Sequence, residues 1–165
     1  MLNQEISIRR ATTHDIQRVF AWRNDPWIVS LSNSKRAVTW EEHKKWFLNV
    51  INNDKNLLLL IELDQEGIGT VRFDLENSQQ ATVTIYLLPS YVGRGIGTKV
   101  LIIACDVAFK HWKCLRSICA AILKNNLRSI RVFSKVGFSV NFRNNELVTM
   151  KLYRQKWESV NHGSN

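Results

Sequence analysis

No stretch of the 165 residues approaches the ~20 consecutive apolar positions that a spanning helix requires, and the opening MLNQEISIRR has no apolar segment leading to a small-residue cleavage site. A soluble, cytoplasmic protein with no membrane partner is expected. Cysteine is sparse as well: Cys105, Cys114 and Cys119 form an odd set whose spacing matches neither a disulfide framework nor a zinc ligand array. They read as buried thiols, and no metal is expected even with His111 close by. Repeats, low-complexity blocks and linkers are absent, and 45% hydrophobic residues are enough for one sizeable core. A single domain over 1–156 is expected, followed by a loose tail over 157–165 with little packing capacity. Acids are outnumbered, 14 Asp and Glu against 23 Lys and Arg, for a formal charge of +9. Such a chain concentrates anions around it, whether nucleic acid, acidic lipid or a nucleotide ligand.

The hydrophobic pattern orders the elements. Ile6 and Ile8 alternate as in a strand, and Thr12 to Asp15 offers caps for a helix carrying Ile16, Val19 and Phe20. Asn24 to Val38, with Pro26 and Trp27, reads as a loop ending at Thr39, whose hydroxyl can cap a helix from Trp40. Leu57 to Leu63, Val71 to Leu75 and Val83 to Leu87 read as strands, the first two joined by a turn at Asp64 to Gly67. Beyond Pro89, Ile96, Val100, Ile103 and Val107 recur at helical spacing, and Ile118, Ala120 and Ile122 return to alternation. A helix from Asn125 to Val136 stops at Gly137, and a final strand pair follows from Phe138 with a turn at Asn144 and Asn145. The fold class is therefore α/β (α+β): a mixed, mostly antiparallel sheet of six to seven strands with helices on both faces.

One segment carries chemistry. Val92-Gly93-Arg94-Gly95-Ile96-Gly97-Thr98 stands between a strand and a helix, where glycines admit an oxyanion to the backbone and the helix N-terminus supplies unpaired N–H donors. The spacing is not the dinucleotide fingerprint, and the lysine of a nucleoside-triphosphate loop is missing.

With its neighbours, LLPSYVGRGIGTKVL and the later NNLRSIRVFSKVGF, this segment resembles the GNAT N-acetyltransferase superfamily over nearly the whole chain. The resemblance implies acetyl-CoA as cosubstrate, a bulged strand splayed from its neighbour with pantetheine in the opening, and pyrophosphate on the turn. It assigns Leu87, Leu88 and Val92 to Thr98 to the cofactor, together with Asn126, Ser129 and Phe133 from the second motif; Asn126 and Ser129 also suit plain helix caps. Two departures stand out. Val92 replaces the usual Arg or Gln, with Arg94 offered inside the loop instead, and Phe133 replaces a tyrosine that protonates the departing thiolate.

Acyl transfer to an amine needs a deprotonated amine, an oxyanion donor and an outlet for the thiolate. A thiol pKa of about 8.5 makes thiolate a tolerable leaving group without a dedicated acid. The backbone N–H near Leu88 is the expected oxyanion donor. Asp74 and His43 are candidate bases and Tyr91 and Ser134 candidate acids, while a solvated carboxylate and a packing histidine are the plain alternatives. No cysteine sits in an activated setting, so direct attack in a ternary complex is expected.

The resemblance implies a small-molecule or peptide amine as acceptor. Trp22-Arg23-Asn24-Asp25-Pro26 and TWEEHKKWF resemble the branch acting on nucleotide-linked amino sugars, as in pseudaminic acid synthesis; Arg23, Asn24, Trp27 and His43 are the implied acceptor residues. Arg23 suits a phosphate and Trp27 a sugar or base face, whereas Trp46 fits the core. Ribosomal-protein N-termini are the alternative acceptor, then aminoglycosides, whose own positive charge conflicts with a basic chain. An RNA-binding domain without enzymatic activity ranks last, because neither the aromatic strand motif of an RRM nor a helix-turn-helix pattern is present. A monomer or homodimer is expected.

Overall fold

The computed structural model of the chain describes residues 5–32 and 34–161. Among them, β1 (Ile6–Arg10), β2 (Asn56–Leu63), β3 (Glu66–Asn77), β4 (Gln80–Leu87), β5 (Ser117–Leu123), β6 (Ser139–Arg143) and β7 (Leu147–Tyr153) form one sheet in the order β1-β2-β3-β4-β5-β7-β6. Neighbouring strands are antiparallel except β4 and β5. That parallel step follows from the crossover helix that joins them. The helices are α1 (Ile16–Arg23), α2 (Pro26–Leu31), α3 (Trp40–Ile51), α4 (Ile96–His111), α5 (Leu127–Val136) and α6 (Arg154–Asn161).

Strand alternation decides what each face carries. Leu59, Val71, Phe73, Val83, Ile118 and Met150 point one way and are buried with Val100, Leu101, Ala104 and Ala108 of α4. Leu58 and Leu60 point the other way, onto Val19 of α1 and Phe47 and Val50 of α3. Helices thus cover both faces, and each large side chain buried this way contributes about 1.5–3 kcal/mol. Over β4 to β7 the second face is more open, with Thr84 and Ala121 exposed and Thr82, Tyr86, Thr149 and Lys151 half-buried.

Local signals explain several helix ends. Thr39 Oγ1 accepts the Glu42 N–H at 3.2 Å while Glu42 Oε2 accepts the Thr39 N–H at 2.9 Å, a reciprocal cap that starts α3. Gly137, at φ +111°, ends α5.

Four expectations change. The segment from 24 to 38 is not all loop: Asp25 Oδ1 accepts the Trp27 N–H at 2.8 Å and Pro26 takes the first helical position, so a cap followed by proline starts α2. Ile103 of α4 is 36% exposed, because the sheet-facing stripe is built from Leu101, Ala104, Cys105 and Ala108, whose small members let the helix approach closely. Cys105 and Cys119 are buried, but Cys114 is exposed. The expected tail begins inside α6, which runs to Asn161, and its first residue is anchored. Trp157 is 4% exposed with its ring 6.3 Å from Phe109, and Arg154 donates to the carbonyls of Phe109 and Trp112 at 2.8 and 3.0 Å. Residues 162–165 of the expected tail lie outside the described residues.

Candidate active site

β4 and β5 pair only at Gln80–Ser117, Ala81–Ile118 and Thr82–Cys119, after which Val83 to Leu87 and Ala120 to Leu123 run on unpaired to each other. The sheet is therefore split at its centre, as the resemblance implied. The bulge it implied is not in β4, whose register with β3 is continuous from Gly69–Leu87 to Leu75–Ala81. Irregularities fall in β3, against β2 at Ile61/Glu62 and against β4 at Leu75/Asn77. Gly69 makes the unbroken register possible, since a Cβ there would lie 2.2 Å from the Tyr86 carbonyl oxygen.

The register also moves the expected oxyanion donor. Leu88 donates its N–H to the Ile68 carbonyl at 2.8 Å, so it is not available. Hydrogen-bonding direction alternates along a strand, which turns the N–H groups of Ile85 and Leu87 toward the split.

At the open end, Pro89–Tyr91 form a single 3-10 turn, Val92 is extended, and Gly93 and Gly95 take φ of +83° and +74°. A Cβ at either glycine would meet nothing within 4 Å, so glycine serves the left-handed backbone and the space outside is open. α4 starts at Ile96 with no side-chain cap and no acid in its first turn, leaving its leading N–H groups for an anion. Arg94 and Lys99 are exposed beside it, and Thr98 is half-buried. A Cβ at Gly97 would sit 3.8 Å from both Leu87 Cδ1 and Val132 Cγ1, so the turn, the end of β4 and α5 meet there.

The second motif is mostly structural in this geometry. Asn126 caps α5, its Oδ1 accepting the Ser129 N–H at 3.2 Å. Ser129 is exposed. Phe133 is 3% exposed and packs edge-on against Phe138 at 4.9 Å. Of the candidate acids, Ser134 is exposed on α5, and the Tyr91 hydroxyl donates to Glu66 Oε2 at 3.1 Å while Arg94 lies 5.7 Å from its ring centre.

Neither candidate base stands free at the split. Asp74 accepts from Asn56 Nδ2 at 2.6 Å and Arg72 Nε at 2.8 Å. It pairs with Thr82 at the closed end, roughly 17 Å along the strand from Leu87. His43 is 2% exposed, enclosed by Phe20, Trp40, Trp46 and Phe47, with Nε2 2.8 Å from the Ile16 carbonyl. A carbonyl only accepts, so Nε2 carries the proton and Nδ1 is a buried lone pair with no partner. Burial lowers the His43 pKa, the Ile16 carbonyl partly opposes this, and the Arg23 charge adds to it.

On the expected acceptor side, Asn24 is a staple. Its Nδ2 donates to the Val38 carbonyl at 2.9 Å and its Oδ1 accepts the Val38 N–H at 2.8 Å, which closes the segment onto α1. Trp27 is half-buried in the first turn of α2. Arg23 Nη2 reaches Ser34 Oγ at 3.4 Å, and its Nη1 is buried without a hydrogen bond. Sequence reasoning passed over Tyr86 and Arg72. Alternation was the available signal, because it sets both on the face opposite Val71, Val83 and Leu87.

Split strands lead to an open, glycine-led helix start whose N–H groups can meet an anion. The family model for the acetyltransferase (GNAT) domain matches residues 5–139, so the chain belongs to the GNAT acetyltransferase family. MJ1062 of Methanocaldococcus jannaschii, uncharacterised, is 29% identical over 143 residues, which are 82% of this chain and 28% of that protein. The chain thus spans under a third of that relative. The acetyltransferase PseH of Campylobacter jejuni is 22% identical over 128 residues, 78% of this chain and 79% of PseH. Among solved structures, AAC(6')-Ib in complex with ribostamycin and coenzyme A superposes with a TM-score of 0.85 at 22% identity, covering 95% of this chain and 98% of that one. Among the described residues no helix is long and apolar enough to cross a membrane, and no group of three His, Cys, Asp or Glu could hold a metal ion.

Proposed function

We propose that the chain transfers acetyl from acetyl-CoA to the primary amine of a nucleotide-linked amino sugar, by direct attack in a ternary complex. The split between β4 and β5, ending at the uncapped start of α4, carries this reading. Pyrophosphate rests on the N–H groups from Gly95 to Thr98, and pantetheine runs into the split against the backbone of Ile85 and Leu87. Solved relatives hold the same cosubstrate: AAC(6')-Ib with coenzyme A and PseH with acetyl coenzyme A.

The Leu87 N–H stabilises the oxyanion that forms as the neutral amine attacks the thioester carbonyl. One such donor is worth about 10²–10³ in rate. The thiolate leaves without a protein acid, since Phe133 cannot donate and the Tyr91 proton is engaged by Glu66. Burial pushes the Cys105 and Cys119 thiols up, away from the thiolate form a covalent route would need.

For the acceptor, the likeness to PseH and the +9 charge favour an anionic amino sugar over a polycation. Thiol release from acetyl-CoA should be measured with amino-sugar nucleotides, N-terminal peptides, aminoglycosides and polyamines. Sugar nucleotides are expected to give the highest kcat/KM. Turnover with peptides alone would refute the sugar assignment, and no thiol release with any amine would refute the enzyme.

A further inference from the structure

We infer that Tyr86, Arg23 and Arg72 form an oxyanion subsite for the acceptor on the second face of the sheet, a deepening of the function proposed above that rests on it. Tyr86 precedes Leu87 on β4. Its side chain therefore stands on the opposite face from Leu87, near the mouth of the split and away from α4. Its hydroxyl oxygen is buried without a hydrogen bond of good geometry, and so is Arg23 Nη1. Among the described residues, Arg23 has no carboxylate within ion-pair distance. Its side-chain hydrogen bond to Ser34 Oγ, at 3.4 Å, is long.

Buried polar atoms without partners are costly and rare, and two of them, linked by the Arg23 charge felt at the Tyr86 hydroxyl, ask for acceptor atoms brought by a ligand. Arg23 and Arg72 both act on the Tyr86 hydroxyl, so the missing group meets positive charge as well as two donors. Arg72 is held in position by Asp74 through Nε at 2.8 Å and by the Trp46 ring at 5.4 Å. Burial pushes the Tyr86 hydroxyl up to about 12, with Thr70 and the two arginines opposing, so it stays a donor at working pH. A phosphoryl or carboxylate group fits such a site, and a second ammonium is repelled from it. The subsite thus discriminates against polycationic amines, while the amine to be acetylated reaches through to Leu87.

The test uses protein saturated with CoA, so that the turn before α4 is filled. Inorganic pyrophosphate and succinate are titrated separately by calorimetry into wild type, Tyr86→Phe and Arg23→Gln. Pyrophosphate binding marks a phosphoryl site and succinate binding a carboxylate site, and either is expected to weaken by about tenfold in each variant with CoA affinity unchanged. Tyr86→Phe should leave the ligand-free Tm unchanged or raised, because the buried hydroxyl it removes has Thr70 beside it but no hydrogen bond of good geometry. A lowered Tm would make the hydroxyl structural, and equal anion affinity in all three proteins, or no binding by wild type, would overturn the subsite. Failure of the acetyltransferase reading would register separately, as no affinity for CoA in the first place.

Discussion

Leu88 and Ile68 are joined by a 2.8 Å backbone hydrogen bond, and this bond fixes which amide of β4 faces the split. Because direction alternates along the strand, engaging Leu88 with β3 turns Leu87 outward. Hydrogen exchange tests this directly. The Leu88 amide should be protected in the free protein, and the Leu87 amide should exchange faster and become protected when acetyl-CoA is added. Protection of Leu87 without ligand would contradict the geometry.

Gly69 lets the backbones of β3 and β4 close beside that bond. In Gly69→Ala the new Cβ would lie 2.2 Å from the Tyr86 carbonyl oxygen, and the strands must shift to admit it. An overpacking cost of about 1–3 kcal/mol is expected in urea denaturation, with KM for acetyl-CoA raised because Leu87 is displaced. Unchanged stability and KM would show that the strands are looser than this.

His43 gives the fold a dependence on pH. Burial, with the Arg23 charge, lowers its pKa against the opposing Ile16 carbonyl, while the unfolded chain titrates near about 6.5. As pH falls below that value, the unfolded state takes up a proton that the folded state refuses, so stability drops. His111, lowered by burial and by Arg10, acts with the same sign. Unfolding free energy measured between about pH 7.5 and 5.5 should decline, with a shallower slope in His43→Phe. A flat profile in the wild type would contradict the burial of a neutral ring.

Trp157 anchors α6. Trp157→Ala should cost about 3–5 kcal/mol through the cavity left beside Phe109, read as a lower urea midpoint at unchanged m-value. A cost below about 1 kcal/mol would mean that the last helix adds little to the core.

Much of this was legible in the chain, and the exceptions have physical causes. Alternation located the strands, Thr39 and Gly137 marked helix ends, and the glycine spacing located the turn. Asp25-Pro26 carried a helix-start signal that the surrounding polar residues masked. Trp157 stands alone among polar neighbours, and its burial depends on Arg154 binding carbonyls distant in sequence. Arg9 shows the same limit: it pairs with Asp15 and Glu62 at 2.9 and 2.8 Å, a junction that no local pattern encodes. At the site, the glycines marked a backbone of positive φ with open space beside it. Whether Leu87 or Leu88 faced the split depended on strand register, which sequence does not specify. Asp74 and Asn24 look available as letters but are engaged by Arg72 and Val38 in space.

The central claim is that the turn before α4 holds the cosubstrate, and Gly95 tests it most directly. Gly95→Glu puts a carboxylate into the open space proposed for pyrophosphate, and its left-handed φ of +74° adds a strain of about 1–2 kcal/mol. Gly95→Asn, which tolerates that backbone and carries no charge, controls for the strain. In calorimetric titration, acetyl-CoA binding should be present in the wild type, retained in Gly95→Asn and lost in folded Gly95→Glu. Acetyl-CoA affinity equal in wild type and Gly95→Glu would contradict the account.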